Sequence, residues 1–344
     1  MSEESKKLDL QSSTFLNDII DCAEVKFKTY QNQALELKLK NFDNAIWCYT
    51  PSLLTYAVEQ FESINKDKFI PISITGTKCQ LQCDHCKSKI LESMYPAETP
   101  EVLYDLVKDF VENRGCEGIL ISGGATLDGS VPFLKFIDIF KKIKEDFGII
   151  VIIHSGLITK ELAEGLSRIK IDAVMLDIIG HDETIHQIYH LKRNVEHFEE
   201  SLKYLHEYDI PFVPHVILGL HYGEIKGERA ALELIKKHEP SALVLVILMP
   251  LEGTPMEEIE PTSPKRLARF ITLARFLFPK IPVMLGCARP KGDHKVETDI
   301  LAIQSGINGI AYPCQEAVDF ALERGYKLHF SELCCSLIYR DIIK

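Results

Sequence analysis

The sequence predicts an α/β protein built as a (β/α)8 TIM-type barrel. Two observations support this prediction: short apolar, β-branched runs recur along the chain, and amphipathic helical stretches separate them. Strands that are apolar on both faces and alternate with helices are typical of a parallel sheet with right-handed crossovers. Eight runs favour a closed barrel; a partial (β/α)6 barrel with a C-terminal subdomain is the alternative. The predicted strands are 69–75, 118–122, 149–154, 173–177, 212–218, 243–249, 283–286 and 309–311.

The remaining elements are assigned in chain order. Residues 1–64 are helix-rich and are expected to form a helical N-terminal extension packed on the barrel. Residues 65–315 are expected to form the barrel, and residues 316–344 a C-terminal segment that closes it. Between the strands the helical periodicity predicts helices at 100–114, 132–147, 159–169, 195–208, 228–237 and 264–278.

Composition narrows the classes of function. The chain has 344 residues, 46% of them hydrophobic, and a net charge of −11. A chain this acidic, without a basic stretch that tracks phosphates, is not expected to bind nucleic acid or an anionic membrane surface. The sequence contains no run of 18 or more apolar residues, so no membrane-spanning helix is expected. The polar start, residues 1–7, lacks the apolar core of a signal peptide. Ten cysteines without an export signal indicate a reducing cytoplasm.

A cysteine-rich loop directly follows the first predicted strand. Cys79, Cys83 and Cys86 are spaced C-x3-C-x2-C. Three thiolates on one short loop can hold three corners of a cubic iron–sulfur cluster and leave the fourth iron without a protein ligand. Zinc and unligated thiols are the alternatives. Zinc would require a fourth ligand such as His85, whose position next to Cys86 would strain the loop.

This motif at this place resembles the signature of the radical S-adenosylmethionine (SAM) enzymes. The resemblance implies a [4Fe-4S] cluster held by Cys79, Cys83 and Cys86, whose open iron is chelated by the amino and carboxylate groups of SAM. It also implies a low-potential electron donor, because the reduced cluster cleaves SAM to methionine and a 5′-deoxyadenosyl radical. The cofactor supplies the difficult chemistry, and the protein positions it and excludes water.

Further candidate residues lie at the ends of later strands, where barrel enzymes place their active sites. In radical SAM proteins a glycine-rich segment after the second strand contacts the methionyl amine. An alanine stands here where that segment often has an acid, so the amine contact would rest on backbone carbonyls or on Thr126. An acid inside an apolar run, as in the fourth strand, is costly unless bonded, and ribose hydroxyls or a substrate group are its expected partners. The fifth strand resembles the G-x-I-x-G-like segment that lines adenine, with histidine in place of the first glycine. The residues assigned to the cofactor are Ser122, Gly123, Gly124, Ala125, His154, Ser155, Asp177, His215, Ile217 and Gly219.

The C-terminal cysteines suggest a second site. We hypothesise an auxiliary iron–sulfur cluster that donates sulfur to a substrate carbon radical. Packing thiols or substrate-binding thiols are the alternatives. Arg289, beside the first of these cysteines, is a candidate to neutralise a thiolate or to bind an acidic group bidentately. The candidate ligands are Cys287, Cys314, Cys334 and Cys335, with Cys48 as a further contributor.

Three stretches, 73–79, 122–132 and 286–290, together resemble the biotin synthase/lipoyl synthase-like branch over most of residues 65–335. The resemblance is strongest to the two-protein lipoyl synthases of archaea, in which two homologous radical SAM subunits insert sulfur into an octanoyl chain on a lysine of an acceptor protein. It implies a lipoyl-acceptor protein or peptide and a homologous subunit as partners. The N-terminal C-x4-C-x5-C and C-terminal R-S-S-Y motifs of one-chain lipoyl synthases are missing. Two alternatives stay open: a biotin-synthase-like or maturase-like enzyme acting on a small molecule, and a non-catalytic iron–sulfur scaffold.

Overall fold

A computed structural model describes residues 12–51 and 55–342 of the chain. The polar start at 1–7, predicted to lack a signal-peptide core, lies outside the described residues. All eight predicted strands are present, and the α/β fold of the TIM-barrel type is confirmed; among the described residues the sheet forms a curled half-barrel whose two end strands do not pair with each other. The strands are β1 (Ala45–Tyr49), β2 (Ala57–Val58), β3 (Phe61–Glu62), β4 (Phe69–Ser73), β5 (Tyr95–Pro96), β6 (Gly118–Ser122), β7 (Ile150–Ser155), β8 (Ala173–Asp177), β9 (Phe212–Leu218), β10 (Leu243–Ile247), β11 (Val283–Leu285), β12 (Gly309–Ala311) and β13 (Lys327–Ser331).

Eleven of these strands form one mostly parallel, strongly curled sheet in the order β13-β1-β12-β11-β10-β9-β8-β7-β6-β4-β5. Consecutive barrel strands are therefore neighbours, as a succession of right-handed β-α-β units requires. The short strands β2 and β3 pair antiparallel outside this sheet. Because the paired strands run parallel, their carboxyl ends meet at one rim, and that rim carries the candidate site.

Helices cover the outer face of the sheet. The helix that follows β5 shows how its ends are defined: Thr99 accepts a hydrogen bond from the backbone N–H of Val102 at 3.3 Å, Pro100 occupies the first turn, and Gly115 ends the helix at φ 72°. The helices are α1 (Ser13–Asp21), α2 (Glu24–Asn41), α3 (Pro100–Arg114), α4 (Ile137–Phe147), α5 (Lys160–Ile169), α6 (Asp182–Ile188), α7 (Val195–Glu207), α8 (Glu228–Lys236), α9 (Pro264–Leu277), α10 (Asp293–Gln304), α11 (Gln315–Glu323) and α12 (Ile338–Ile342).

Alternate strand residues face two separate apolar layers. In β8, Val174 and Leu176 pack outward against the helices, whereas Ala173 and Met175 pack inward into the barrel. Fully burying one such aliphatic side chain stabilises the fold by about 1.5–3 kcal/mol. The inner layer fills the lower barrel, so only the rim side is left for ligands.

Five strands were not predicted: β1, β2, β3, β5 and β13. The N-terminal segment, expected to be a helical extension, also contributes β1, which lies between β12 and β13. Its helices α1 and α2 contact α9, and the rings of Phe15 and Phe276 pack edge to face at 5.0 Å. Within 12–51 and 55–342, none of the helices combines the length and apolar character needed to cross a bilayer.

The C-terminal segment packs against residues at the start of β8 and at the end of β1. Tyr339 donates a hydrogen bond to the carbonyl oxygen of Asp172, just before β8, and Arg340 pairs with the Asp172 carboxylate at 3.2 Å. Tyr49 in β1 donates to Asp341 at 2.7 Å. These contacts hold α12 between the start of β8 and the last residue of β1.

Candidate active site

The three cysteines lie on the loop that follows β4. The backbone N–H groups of Cys86 and Lys87 both donate to the carbonyl oxygen of Cys83, at 3.2 and 2.9 Å. Gln82 and Lys87 adopt left-handed backbone conformations, with φ of 49° and 44°. These tight turns bring the thiols of Cys83 and Cys86 together, with Cys83 buried and Cys79 and Cys86 half-buried.

The electrostatics of the loop favour a thiolate. Hydrogen bonding from the Cys83 thiol and the neighbouring His85 imidazole outweigh burial and lower the pKa of Cys86 to about 4. The hydrogen bond between the Cys83 and Cys86 thiols, together with burial, raises the pKa of Cys83. Since the thiolate is the form that binds metal, one sulfur of the loop is prepared for ligation at neutral pH.

The cysteine loop packs directly on the glycine segment that follows β6. A Cβ atom added to Gly124 would lie 2.0 Å from the carbonyl oxygen of Lys78 and 2.5 Å from the Cα of Cys79. The Gly124 N–H donates to Thr75 Oγ1 at 2.7 Å, and Ala125 accepts from the backbone N–H of Gln80 at 2.9 Å. Only glycine permits this approach of two backbones.

The donor set fits a cubic cluster with one iron left open. Three thiols come from one loop. His85, the fourth ligand that zinc would need, packs against the Tyr189 ring at 5.1 Å and hydrogen-bonds to the Cys86 thiol. Its Nδ1 is buried without a hydrogen-bond partner. Over the described ranges, no three Cys, His, Asp or Glu side chains surround a site for a single metal ion.

Asp84, between two of the cysteines, is a residue that sequence analysis missed. Its carboxylate accepts from the Tyr222 hydroxyl at 2.9 Å and from Lys87 Nζ at 3.0 Å, and it lies 2.9 Å from His190 Nε2. Burial would raise the pKa of Asp84, but the hydrogen bonds from Lys87, His190 and Tyr222 together lower it. We call these four residues the Asp84 clasp. His190 and Tyr222 are 106 and 138 residues away along the chain, so no local sequence signal could have revealed the clasp.

The glycine segment is held by its own hydrogen bonds. Ser122 donates its hydroxyl to the carbonyl oxygen of His154 at 2.9 Å. The Thr126 hydroxyl donates to the carbonyl of Ser130 at 2.9 Å and contacts the Asp128 carboxylate. The Thr126 side chain thus stabilises the turn that follows the glycine segment.

His154, Asp177 and His215 are brought together at the rim by β7, β8 and β9. His154 Nε2 lies 3.8 Å from Asp177 Oδ1, and the rings of His154 and His215 are 5.2 Å apart. Burial, reinforced by His154, lowers the pKa of His215 to about 4, so this imidazole is neutral at physiological pH. Ser155 is buried and donates to the carbonyl of Met175, which directs its hydroxyl towards β8. Tyr189 donates a longer hydrogen bond to Asp177, at 3.4 Å.

The end of β9 leads into a turn that the Glu228 side chain stabilises by a hydrogen bond. Gly219 adopts φ 77°, and its N–H donates to Glu228 Oε1 at 2.9 Å. Burial raises the pKa of Glu228 to about 7, and its Oε2 is buried without a partner. Ile217 and Asp177 join Glu228 in lining a small recess. Glu228 also lay outside the sequence-based candidates.

The C-terminal cysteines fall into two groups. In the first group, Cys287 has an exposed surface, but the protein around its thiol raises the pKa of that thiol through desolvation. Cys287 also interacts electrostatically with Cys334 and Cys335, which are both buried. Cys314 belongs to a different environment: its N–H donates to the Asp299 carboxylate at 3.0 Å. Burial, then Asp299, raises the pKa of the Cys314 thiol to about 11.

Arg289 does bind a carboxylate bidentately, but within the chain. Its guanidinium contacts the two Asp299 oxygens at 2.7 and 3.2 Å, and it donates to the carbonyls of Gly286 and Tyr312. Lys295 reaches the same carboxylate at 2.8 Å. The Asp299 carboxylate also affects Cys48. Burial of the Cys48 thiol, and to a smaller extent the charge of Asp299, raise the pKa of this thiol to about 12. Arg289 is thus committed to fixing the loop after β11.

Comparison with known proteins agrees with this geometry. A family model described as the radical SAM superfamily matches residues 73–235, and the Biotin and Thiamin Synthesis associated domain matches residues 245–328. Biotin synthase from Prochlorococcus marinus (strain MIT 9515) is 26% identical over 248 residues, covering 70% of this chain and 72% of that protein. The 7,8-didemethyl-8-hydroxy-5-deazariboflavin synthase of Methanopyrus kandleri is 24% identical, covering 72% of this chain and 78% of its own length.

Solved structures share the fold. Methylornithine synthase superimposes with a TM-score of 0.63 at 14% identity, covering 96% of both chains. The FeFe-hydrogenase maturase HydG from Carboxydothermus hydrogenoformans gives a TM-score of 0.65 at 15% identity, covering 94% of this chain and 76% of HydG. The chain therefore belongs to the radical SAM superfamily, in its biotin synthase-like branch, and is an enzyme whose cofactors are a [4Fe-4S] cluster and SAM.

Proposed function

We propose that the chain inserts sulfur into a protein-bound octanoyl chain, as one subunit of a two-protein lipoyl synthase of the archaeal type. The observation that supports the proposal is the electrostatic interaction of Cys287 with the buried neighbours Cys334 and Cys335, in a chain whose C-terminal part matches the Biotin and Thiamin Synthesis associated domain. The biotin synthase relatives support sulfur transfer as the class of reaction.

In this proposal Cys79, Cys83 and Cys86 hold the cluster and leave one iron for SAM. Bound together, the cluster and SAM supply a primary carbon radical that can abstract hydrogen from an unactivated C–H bond. The backbone of 122–125 then faces the methionyl amine, with Gly124 allowing the close approach. The carboxylate of Asp177 accepts hydrogen bonds from the ribose hydroxyls.

The upper end of β9 is assigned to the adenine in the same proposal. Ile217 is half-buried and offers an apolar surface, and Gly219 turns the chain so that backbone groups face the base edge. His215 is neutral and buried, so it adds no charge there. His154 and Ser155 complete the rim as positioning residues. An apolar, water-poor rim protects a reactive radical from quenching.

The sulfur source is assigned to the C-terminal thiols. Cys287, Cys314, Cys334 and Cys335 are the proposed ligands of an auxiliary iron–sulfur cluster, with Cys48 as a further candidate. Three of them interact with one another, which supports the assignment, whereas Cys314 and Cys48 interact with Asp299.

The proposed substrate is an octanoyl-lysine arm that enters the rim from an acceptor protein or peptide. A flexible arm requires only a modest and transient protein contact. A homologous radical SAM subunit and a low-potential electron donor are the other proposed partners.

A second candidate function has its own support. The methylornithine synthase and HydG structures share this fold over most of the chain. A biotin-synthase-like or maturase-like reaction on a small molecule is therefore the alternative, and a non-catalytic iron–sulfur scaffold is the third.

One anaerobic assay separates these functions. The chain is incubated with SAM, a low-potential reductant and an octanoyl-lysine peptide, with and without a homologous partner subunit, and a Cys79/Cys83/Cys86→Ala triple variant serves as the control. Sulfur insertion predicts a peptide heavier by one or two sulfur atoms and formation of 5′-deoxyadenosine. Formation of 5′-deoxyadenosine with unconsumed peptide in both mixtures rejects lipoyl synthesis and favours the small-molecule alternative. Absence of 5′-deoxyadenosine favours the scaffold.

A further inference from the structure

Asp84 is held by groups from three separate parts of the chain. Lys87 belongs to the cysteine loop itself, His190 follows α6, and Tyr222 follows β9. The backbone N–H of Asp84 also donates to the carbonyl oxygen of Ile188 at 2.9 Å. The carboxylate is largely buried, with a side-chain exposure of 13%, so these bonds are sheltered from water.

The two distant partners come from the segments that the proposed function assigns to SAM. His190 lies beyond β8, which ends in Asp177, and Tyr222 lies just beyond Gly219 at the end of β9. A second connection runs parallel to the clasp: the Cys83 thiol lies 3.9 Å from the carbonyl oxygen of Tyr189, whose hydroxyl donates to Asp177. Both routes join the cysteine loop to the same two strand ends.

Backbone strain marks both partners. His190 and Tyr222 have φ of 54° and 52°, in the left-handed region that bulky residues rarely adopt. Such conformations persist where the surrounding structure requires them, and they cluster at functional sites. Here the left-handed turns direct the side chains of both residues to the Asp84 carboxylate.

We propose that Asp84 is a positioning residue that fixes the distance between the cluster loop and the SAM-binding ends of β8 and β9. It does not ligate iron or touch SAM. It acts by holding the loop, through His190 and Tyr222, against the strands that contact the cofactor. The assignment rests on the proposed placement of SAM at Asp177 and Gly219, and it is independent of which substrate receives the radical.

The test uses the full chain with its cluster reconstituted. Asp84→Asn, Asp84→Ala and Tyr222→Phe are compared with the parent protein. Glu92→Gln serves as the matched control, because Glu92 is an exposed acid in the short helical segment that follows the cysteine loop. Three quantities are measured: iron content, SAM affinity by calorimetry, and the electron paramagnetic resonance spectrum of the reduced cluster with and without SAM.

We expect Asp84→Ala and Tyr222→Phe to retain iron but to bind SAM about 10- to 100-fold more weakly, since a misplacement of about 1 Å has effects of this size. The spectral change that SAM causes should be reduced in both. Combining the two substitutions should weaken binding no further than Asp84→Ala alone, because both remove the same contact. Glu92→Gln should match the parent in all three measurements.

Two results would overturn the proposal. One is unchanged SAM affinity and an unchanged spectral response in Asp84→Asn and Tyr222→Phe, even where Asp84→Ala fails to fold. The other is independent, additive effects of the two substitutions. If the parent binds SAM at its cluster but leaves the octanoyl peptide unconsumed, sulfur insertion fails while the role of Asp84 is still tested by the same measurements.

Discussion

Replacing Gly124 with alanine is expected to abolish most SAM cleavage while leaving the protein folded. The added Cβ would lie 2.0 Å from the carbonyl oxygen of Lys78 and 2.5 Å from the Cα of Cys79. Both are backbone atoms, so no side-chain rotation relieves the clash. Since non-bonded carbon atoms settle about 3.5–4 Å apart, the start of the cysteine loop must move by about 1 Å.

The magnitude follows from that displacement. Overpacking of this kind costs about 1–3 kcal/mol of unfolding free energy, which a domain stable by about 5–15 kcal/mol tolerates. A shift of about 1 Å in a group that positions a reaction costs about 100-fold in rate. The assay is the initial rate of 5′-deoxyadenosine formation under anaerobic reduction, expressed per cluster from the measured iron content.

Gly148→Ala supplies the control for lost stability. Gly148 ends α4 at φ 65°, and a Cβ there would have no atom within 4 Å. Alanine at this left-handed position costs about 1–2 kcal/mol without moving the cysteine loop. The reasoning would be refuted by a Gly124→Ala protein that cleaves SAM at the parental rate, or by a Gly148→Ala protein that loses as much activity.

Three further predictions concern groups around the rim. Glu228 has a folded pKa of about 7 against 4.5 for the free carboxyl, so the folded state holds this proton more tightly. Its contribution to stability is present below pH 4.5 and is lost as pH rises to about 7, by about 3 kcal/mol in all. Glu228→Gln should remove that loss, and a difference between the two proteins in urea unfolding that stays constant from pH 5 to 8 would contradict it. Arg289→Met leaves the buried Asp299 without its main partner and should lower the unfolding free energy by about 3–5 kcal/mol in urea titrations; a change below about 1 kcal/mol would count against the pair. Asp177→Asn should weaken SAM binding about tenfold by calorimetry, since hydrogen bonds to a charged group are worth about 1.5–3 kcal/mol, and unchanged affinity would reject the ribose assignment.

The barrel strands could be predicted because each is apolar on both faces, a pattern that helices and surface strands do not share. β13 lacked this signal, whereas β1, the run Ala-Ile-Trp-Cys-Tyr, is apolar and largely buried on both faces and was nevertheless missed. β1 follows a helix-rich segment, and β13 lies at the end of the sheet, where Lys327 and His329 face solvent. Their strand conformation depends on pairing with each other and with β12, which a local pattern does not encode.

The site was predictable where its chemistry is local. The spacing of Cys79, Cys83 and Cys86 predicts the cluster loop, and the glycines after β6 predict a close backbone approach. The partners of Asp84 and of Glu228 were not predictable, because tertiary contacts bring them together. The same limit applies to Arg289: its bidentate geometry was foreseen, but Asp299, one helix further on, was not identified as the partner.

The position of β1 affects how the chain can fold. β1 lies between β12 and β13, and Thr50, just after β1, contacts Ser331, which is 281 residues further along the chain. A ribosome therefore releases β1 long before either neighbouring strand exists. Until β12 and β13 emerge, β1 presents unpaired backbone groups that can associate with other chains. Sheet completion is thus a late, long-range event, and we expect it to limit the folding rate.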